Sequence, residues 1–168
     1  MNKFTRILKH RWLDETDSAR ALGPAALQRL EARVAASEQA HSGEIRLCIE
    51  AGLPLSYLWR NATVRQRAVT MFGKLRVWDT ENNNGVLIYL LLAEHQIEIV
   101  ADRGLARRVP QTHWDSVLGD MRAAFRKHQF EDGLAQAIAA VDVLLARHFP
   151  LTAGEVNQNE LSDRAALR

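Results

Sequence analysis

Residues 81–105 read ENNNGVLIYLLLAEHQIEIVADRGL, and this stretch decides the fold. Val86 to Ala93 is an almost unbroken apolar block of strand length, the pattern of a strand covered on both faces. Ile97 to Ala101 is a second strand candidate, and the short polar turn Glu94-His95-Gln96 between them predicts a hairpin. A hairpin brings the chain back to where it started. Asn82, Asn83, Asn84 and Gly85 are therefore expected beside Asp102, Arg103 and Gly104, at one end of the sheet.

Working outward, Ile45, Leu47 and Ile49 alternate with Glu44, Arg46 and Cys48 up to Glu50, which is the period of a strand. Before it, Pro24 suits the first turn of a helix, and Leu27, Leu30 and Val34 keep to one face as far as about Ala40. His41-Ser42-Gly43 ends that helix. Ala51 to Trp59, with Gly52 and Pro54, reads as a loop. Val64, Ala68, Met71, Phe72 and Leu75 then predict a helix with Arg65, Arg67 and Lys74 on its wet side. Trp78 to Asn84 is irregular. Pro110 opens a helix carrying Trp114, Val117, Leu118, Met121 and Phe125, and a last helix runs from about Glu131 to His148, where Pro150 stops it.

Phe4, Ile7, Leu8 and Trp12, interleaved with Lys3, Arg6, Lys9 and Arg11, predict a short basic amphipathic helix within residues 1–20. Such a helix suits an anionic membrane surface or an acidic partner. It also suits simple packing on the domain. The main α/β domain is expected over 21–149, with a polar tail over 150–168. Helices interspersed with strands in this order predict an α/β domain, helices covering both faces of a small mixed sheet with Val86 to Leu92 at its centre.

The chain has 168 residues, enough for one domain with a real core. A composition 47% hydrophobic and 25% charged is that of a globular protein, and neither disorder nor a fibrous repeat is needed to explain it. Lys plus Arg number 22 against 20 acidic residues, and so small a surplus carries no inference about nucleic acid, since clustering matters more than the total; no nucleic-acid partner is expected. Cys48 is the single cysteine, so no intrachain disulfide can form, and its place in an apolar run predicts a buried thiol. The N-terminus has no continuous apolar segment like that of a secretory signal, and the block from Val86 to Ala93 falls far short of the roughly 20 residues that span a bilayer. The expected location is the cytoplasm, peripheral to a membrane.

Two chemistries fit the polar end of the hairpin. Asp79, Glu81 and Asp102, with asparagine carbonyls, offer hard oxygens to Ca²⁺ or Mg²⁺. Alternatively, Arg103, Arg107 and Arg108, with N–H groups freed by glycine, suit a phosphate or carboxylate. Asn and Gly also form turns with no ligand at all, because both tolerate left-handed backbone. His95 is expected to be exposed in the hairpin turn, which leaves His113 as the only histidine near enough to act. His10, His41, His128 and His148 fall at helix ends or in loops, where favourable dipole interactions explain them.

Ser42-Gly43-Glu44-Ile45 entering the first strand, Asn83-Asn84-Gly85-Val86-Leu87 entering the second and Gly104-Leu105 leaving the third together resemble the TPM domain family, over roughly Leu22 to Leu145. The family takes its name from a thylakoid lumen protein, a photosystem II repair protein and a nicotinic-receptor modulator. The resemblance implies a three-layer α/β/α sandwich with a small mixed central sheet. It also implies binding of Ca²⁺ or other divalent ions, as in some relatives, and brings in phosphatase activity, since a plant relative is described as an acid phosphatase. Most of the family lies outside the cytoplasm with a signal peptide and a membrane anchor; this chain resembles a shorter branch without either. No phosphatase signature is present. The expectation is a ligand- or divalent-ion-binding module acting through a membrane-associated protein or an anionic membrane surface, with a metal-dependent phosphatase as the alternative. Asn82 to Gly85, Arg103, Gly104 and Arg107 are the candidate ligand-binding residues, and Asp79, Glu81 and Asp102 the candidate metal ligands.

Overall fold

The computed structural model describes residues 3–12, 15–152 and 159–168. Its strands are β1 (Ile45–Glu50), β2 (Val86–Leu91), β3 (Gln96–Ala101) and β4 (Ala166–Leu167). They form one sheet in the order β3-β2-β1-β4. β2 and β3 are antiparallel, pairing Val86 with Ala101 and Leu91 with Gln96. β1 runs parallel to β2, from Ile45 beside Val86 to Glu50 beside Leu91, and parallel to β4. The sheet is therefore mixed, with β2 inside it as its apolar run requires.

The period-two alternation sends successive β2 side chains into two cores. Val86, Ile88 and Leu90 join Ile45, Leu47, Ile49, Ile97 and Ile99 against helices α3 (Pro24–Ser37), α7 (Gln111–Arg126) and α8 (Phe130–His148). Leu87, Tyr89 and Leu91 join Cys48 and Val100 against α4 (Leu55–Trp59) and α5 (Val64–Lys74). Both faces are covered, which makes a three-layer α/β/α sandwich. α5 is the crossover between the parallel strands β1 and β2, and it starts at a capping box between Thr63 and Gln66. Cys48 is buried as expected, and burial pushes its thiol up to about 12.

Several local features differ from the sequence reading, each for a physical reason. The expected loop over 51–59 contains α4, because the Pro54 carbonyl accepts from the amides of Tyr57 and Leu58 and so starts a helical turn. Glu15–Leu22 forms a helix, α2, fixed by the Ser18 hydroxyl donating to Arg168 O at 3.1 Å. Ala166–Leu167 in the polar tail pairs beside Cys48 and Ile49. The chain between β2 and β3 turns through a 3-10 segment, Leu92–Glu94, ending on His95 in left-handed conformation (φ 50°).

Arg67, expected on the wet side of α5, is buried. Its guanidinium grips Glu50 with two hydrogen bonds, Nε to Oε2 at 2.9 Å and Nη2 to Oε1 at 2.6 Å, and Tyr89 donates to the same Oε2 at 2.5 Å. A buried Glu50 needs such a partner, so α5 turns a cation inward. Burial and then the Glu50 charge push the Tyr89 hydroxyl far above its usual range.

Candidate functional site

Topology gathers three sequence motifs at one end of the sheet. β1 and β2 begin there and β3 ends there, so Ser42-Gly43-Glu44, Asn82 to Gly85 and Asp102 to Gly104 lie side by side. Backbone bonds join them directly. Val86 N–H donates to Glu44 O at 2.8 Å, Asp102 N–H to Gly85 O at 2.9 Å, and Gly104 N–H to Asn83 O at 2.9 Å.

The asparagines have distinct jobs. Asn83 takes left-handed backbone (φ 51°), which its short polar side chain tolerates, and its Oδ1 accepts from Arg103 Nε at 2.8 Å. Asn84 is buried; its amide donates to Ser42 O at 3.0 Å, and its backbone N–H donates to Thr80 Oγ1 at 3.1 Å. Asn82 lines the open side. The glycines serve close approach. A Cβ on Gly104 would stand 2.5 Å from Asn83 O and 2.6 Å from Asn82 O, and one on Gly85 would collide with Val77 O.

Asp102 caps α6 (Arg103–Ala106), its Oδ1 accepting from Arg103 N–H at 2.7 Å. Its other oxygen, Oδ2, is buried and has no hydrogen-bond partner among the described residues, and the same holds for Asn84 Oδ1. Asp79 and Glu81 do not join them. Both are exposed on the loop before β2, where the Glu81 amide donates to Glu160 Oε2 at 3.0 Å. Among the described residues there is no group of three or more His, Cys, Asp or Glu side chains placed to hold a metal ion.

On the open side, Asn82, Asn83, Arg103, Gly104, Arg107 and Arg108 line a shallow cavity of about 410 Å³. Arg103 is oriented by the neutral Asn83 oxygen. Arg108 Nη1 donates to His148 O at 2.6 Å, and its guanidinium lies 4.5 Å from the centre of the Phe149 ring. None of the three arginines pairs with a carboxylate among the described residues. Their charge is left for something else.

The same end of the sheet, at the start of β1, holds two buried carboxylates, Glu38 and Glu44. Glu38 Oε1 accepts from Ile45 N–H at 3.3 Å, while burial and then the neighbouring Glu44 push its carboxyl up to about 8. Burial also raises Glu44, against the Glu160 and Leu161 amides that donate to it. His41 is buried, its Nε2 3.3 Å from Asp142 Oδ1 without hydrogen-bond geometry, and burial holds its pKa below the usual value. Helix-dipole effects therefore do not account for His41.

His113 is exposed in the first turn of α7 and does not line the cavity. His95 differs from its expected place in solvent. Its ring packs 4.5 Å from that of His128 and 5.6 Å from that of Phe130, and burial, His128 and Lys9 all lower its pKa. Thr80, which holds the Asn84 backbone, was not expected at the site, because a hydroxyl near an asparagine run is too common a pattern to single out; Ser42, expected only in the motif that enters β1, meets the Asn84 side chain through the fold.

The molecule is thus an α/β/α domain with a pre-formed polar pocket at the end of a central hairpin. The family model of the TPM domain matches residues 16–144, and the chain belongs to the TPM domain family. It is similar in structure to the BA42 protein from the psychrophilic bacterium Bizionia argentinensis, with a TM-score of 0.74 and 26% identity over 86% of this chain and 94% of that one. The N-terminal domain of a protein from P. gingivalis shares the fold, with a TM-score of 0.62 and 18% identity over 84% of this chain and 95% of that one. No curated protein matches the chain in sequence.

Proposed function

We propose that this TPM domain is a binding module whose hairpin end takes an oxyanion, a phosphate or carboxylate group, without hydrolysing it. The observation that carries this reading is the convergence of Arg103, Arg107 and Arg108 on one cavity with no carboxylate partner among the described residues. Guanidinium groups match the planar geometry of such anions and bind them with charge-assisted hydrogen bonds. The Asn82 and Asn83 side chains at the rim add neutral donors. Hydrolysis would need a nucleophile, a general base or a metal-bound water at the anion. The six lining residues supply no carboxylate, imidazole, thiol or hydroxyl, which favours binding over the phosphatase alternative.

A second reading, weak binding of Ca²⁺ or Mg²⁺, is favoured by the two orphaned oxygens, Asp102 Oδ2 and Asn84 Oδ1. Asp102 bonds to Gly85, the residue after Asn84, so both belong to the same strand ends. Two such oxygens fit a hard cation in kind but not in number, since Ca²⁺ takes about six to eight. Water or backbone carbonyls would have to supply the rest, with Asp79 and Glu81 standing apart. Such an ion would be held by Asp102 and Asn84 and would add positive charge beside the arginines.

Thermal melting separates the readings, because a ligand at about 100 times its Kd stabilises the folded state by about 2.7 kcal/mol. Pyrophosphate or citrate should raise the Tm of the native protein, and Arg103→Ala combined with Arg107→Ala should abolish the rise. A rise with Ca²⁺ alone, lost in Asp102→Asn and kept in the double arginine variant, would replace the anion reading with the cation one. Turnover of a phosphomonoester that is lost with the arginines would restore the enzyme reading.

A further inference from the structure

Helix α1 (Lys3–Arg11) is mounted with its polar residues inward. Arg6 Nε donates to Glu94 Oε1 at 2.6 Å, and His10 Nε2 lies 3.0 Å from the same oxygen. His10 Nδ1 accepts from Leu53 N–H at 2.8 Å, and the His10 carbonyl presses so close to Gly52 that a Cβ there would stand 2.8 Å from it. Ile7 completes the inner face, packing on the core between the sheet and α5. An ordinary surface helix turns its apolar stripe to the core and its charges to water. Here the stripe points away.

The residues left outside are Phe4 and Leu8 on α1 and Trp12 just past its end, which recur every fourth position and so fall on one side. Beside α1 packs α4, and Arg6 Nη1 ties the two together by donating to Asn61 Oδ1 at 3.2 Å, just beyond the end of α4. α4 turns Leu55 and Trp59 outward. All five are between 56% and 81% exposed, and they are five of the eight large hydrophobic side chains exposed among the described residues. Chance scatter does not place most of the exposed apolar surface on two adjoining short helices.

Exposed Lys9 and Arg11 flank the α1 stripe, and exposed Arg60 follows Trp59. Neither α1 nor α4 contains an acidic residue. The next helix, α2, begins with Glu15, and its Asp17 pairs with Arg20 at 3.5 Å. We propose that α1 and α4 form a membrane-contact face that lies on an anionic lipid surface, Phe4, Leu8, Trp12, Leu55 and Trp59 entering the headgroup boundary while Lys9, Arg11 and Arg60 meet lipid phosphates. Helices that lie in the interface combine this composition with a polar side anchored elsewhere. Tryptophan favours the boundary because its ring is apolar and its N–H is wet. The face is carried on helix exteriors, not in a groove, which suits a bilayer better than a peptide. No helix among the described residues is long and apolar enough to cross a membrane, so the contact would be peripheral.

Co-sedimentation with vesicles tests this. Vesicles of phosphatidylglycerol mixed with phosphatidylcholine should bind the full chain at least about tenfold more tightly than phosphatidylcholine alone, with the preference fading as salt rises. The triple variant Phe4→Ser, Leu8→Ser, Trp12→Ser should lose that binding while melting like the native protein, since those side chains are outside the fold. Lys9→Glu with Arg11→Glu should lose the anionic preference. Two results would overturn the proposal. One is vesicle binding that is absent at low salt or indifferent to both variants. The other is a stable dimer that the triple variant dissociates, which would make the face a contact between copies of this chain.

Discussion

The Gly104 amide donates to the Asn83 carbonyl at 2.9 Å, and this bond fastens the turn before β2 to the helix start after β3. It can be that short because Gly104 has no Cβ. Alanine there would meet two backbone carbonyls, those of Asn82 and Asn83, and backbone cannot swing aside as a side chain does. Gly104→Ala should destabilise the domain by roughly 1–3 kcal/mol, as overpacking does, and weaken anion binding as well. Chemical denaturation with parallel pyrophosphate titration would check both effects. An unchanged midpoint would mean the two clusters are not held together as described.

Leu87 and Glu94 offer a comparison within one hairpin. Leu87 is fully buried in the core under α5, so Leu87→Ala should leave a cavity costing roughly 2–5 kcal/mol. Glu94 lies in the turn, where a sequence pattern predicts a nearly silent substitution. The structure contradicts that expectation, because Glu94 receives both Arg6 and His10 and so anchors α1. Glu94→Ala should lose roughly 1–3 kcal/mol, the scale of hydrogen bonds to a charged group, and expose α1 to proteolysis. Deleting α1 should likewise lower the melting temperature. Limited proteolysis alongside urea denaturation would measure these effects.

Arg67 and Glu50 are buried partners, so removing one leaves the other charge in an apolar layer. Arg67→Ala should cost roughly 3–5 kcal/mol, while replacing Arg67 and Glu50 together by Met and Leu, with Tyr89→Phe to remove the hydroxyl that donates to Glu50, should recover much of that loss. A double-mutant cycle by chemical denaturation would read it. Additive effects of the two single substitutions would contradict a coupled pair.

The Glu38 carboxyl is raised to about 8 by burial first and Glu44 second. In the folded protein it holds its proton between its ordinary pKa and about 8, whereas the unfolded chain has released it. The unfolded state then binds fewer protons, so stability falls as pH rises through this window. Glu44, raised in the same direction, adds to the slope. Glu38→Gln should flatten the decline and raise the melting temperature at pH near 8, leaving it little changed near 5. Melting curves across that range would decide it.

The sheet was readable because its signals are local. A run such as Val86 to Leu91 needs no knowledge of its neighbours to be recognised as an interior strand, and a hairpin dictates which ends meet. The convergence of Asn82 to Gly85 with Asp102 to Gly104 follows from that alone. What escaped the sequence depends on distant partners. Arg67 turns inward for Glu50, His10 for Glu94, and Ala166–Leu167 becomes a strand only because the β1 edge is there to pair with. The expected grouping of Asp79 and Glu81 with Asp102 assumed that a polar connection folds back on itself; instead it runs outward, and the Glu81 amide meets Glu160. Periodicity also placed Phe4, Leu8 and Trp12 on one face without telling which way that face points.

The most direct test of the account is an amide chemical-shift titration of the native protein with pyrophosphate. The account predicts saturable shifts concentrated at Asn82 to Asn84 and Arg103 to Arg108, the residues around the arginine-lined cavity, and their loss in the Arg103→Ala, Arg107→Ala double variant. Shifts that are absent, or that cluster away from this end of the sheet, would contradict it.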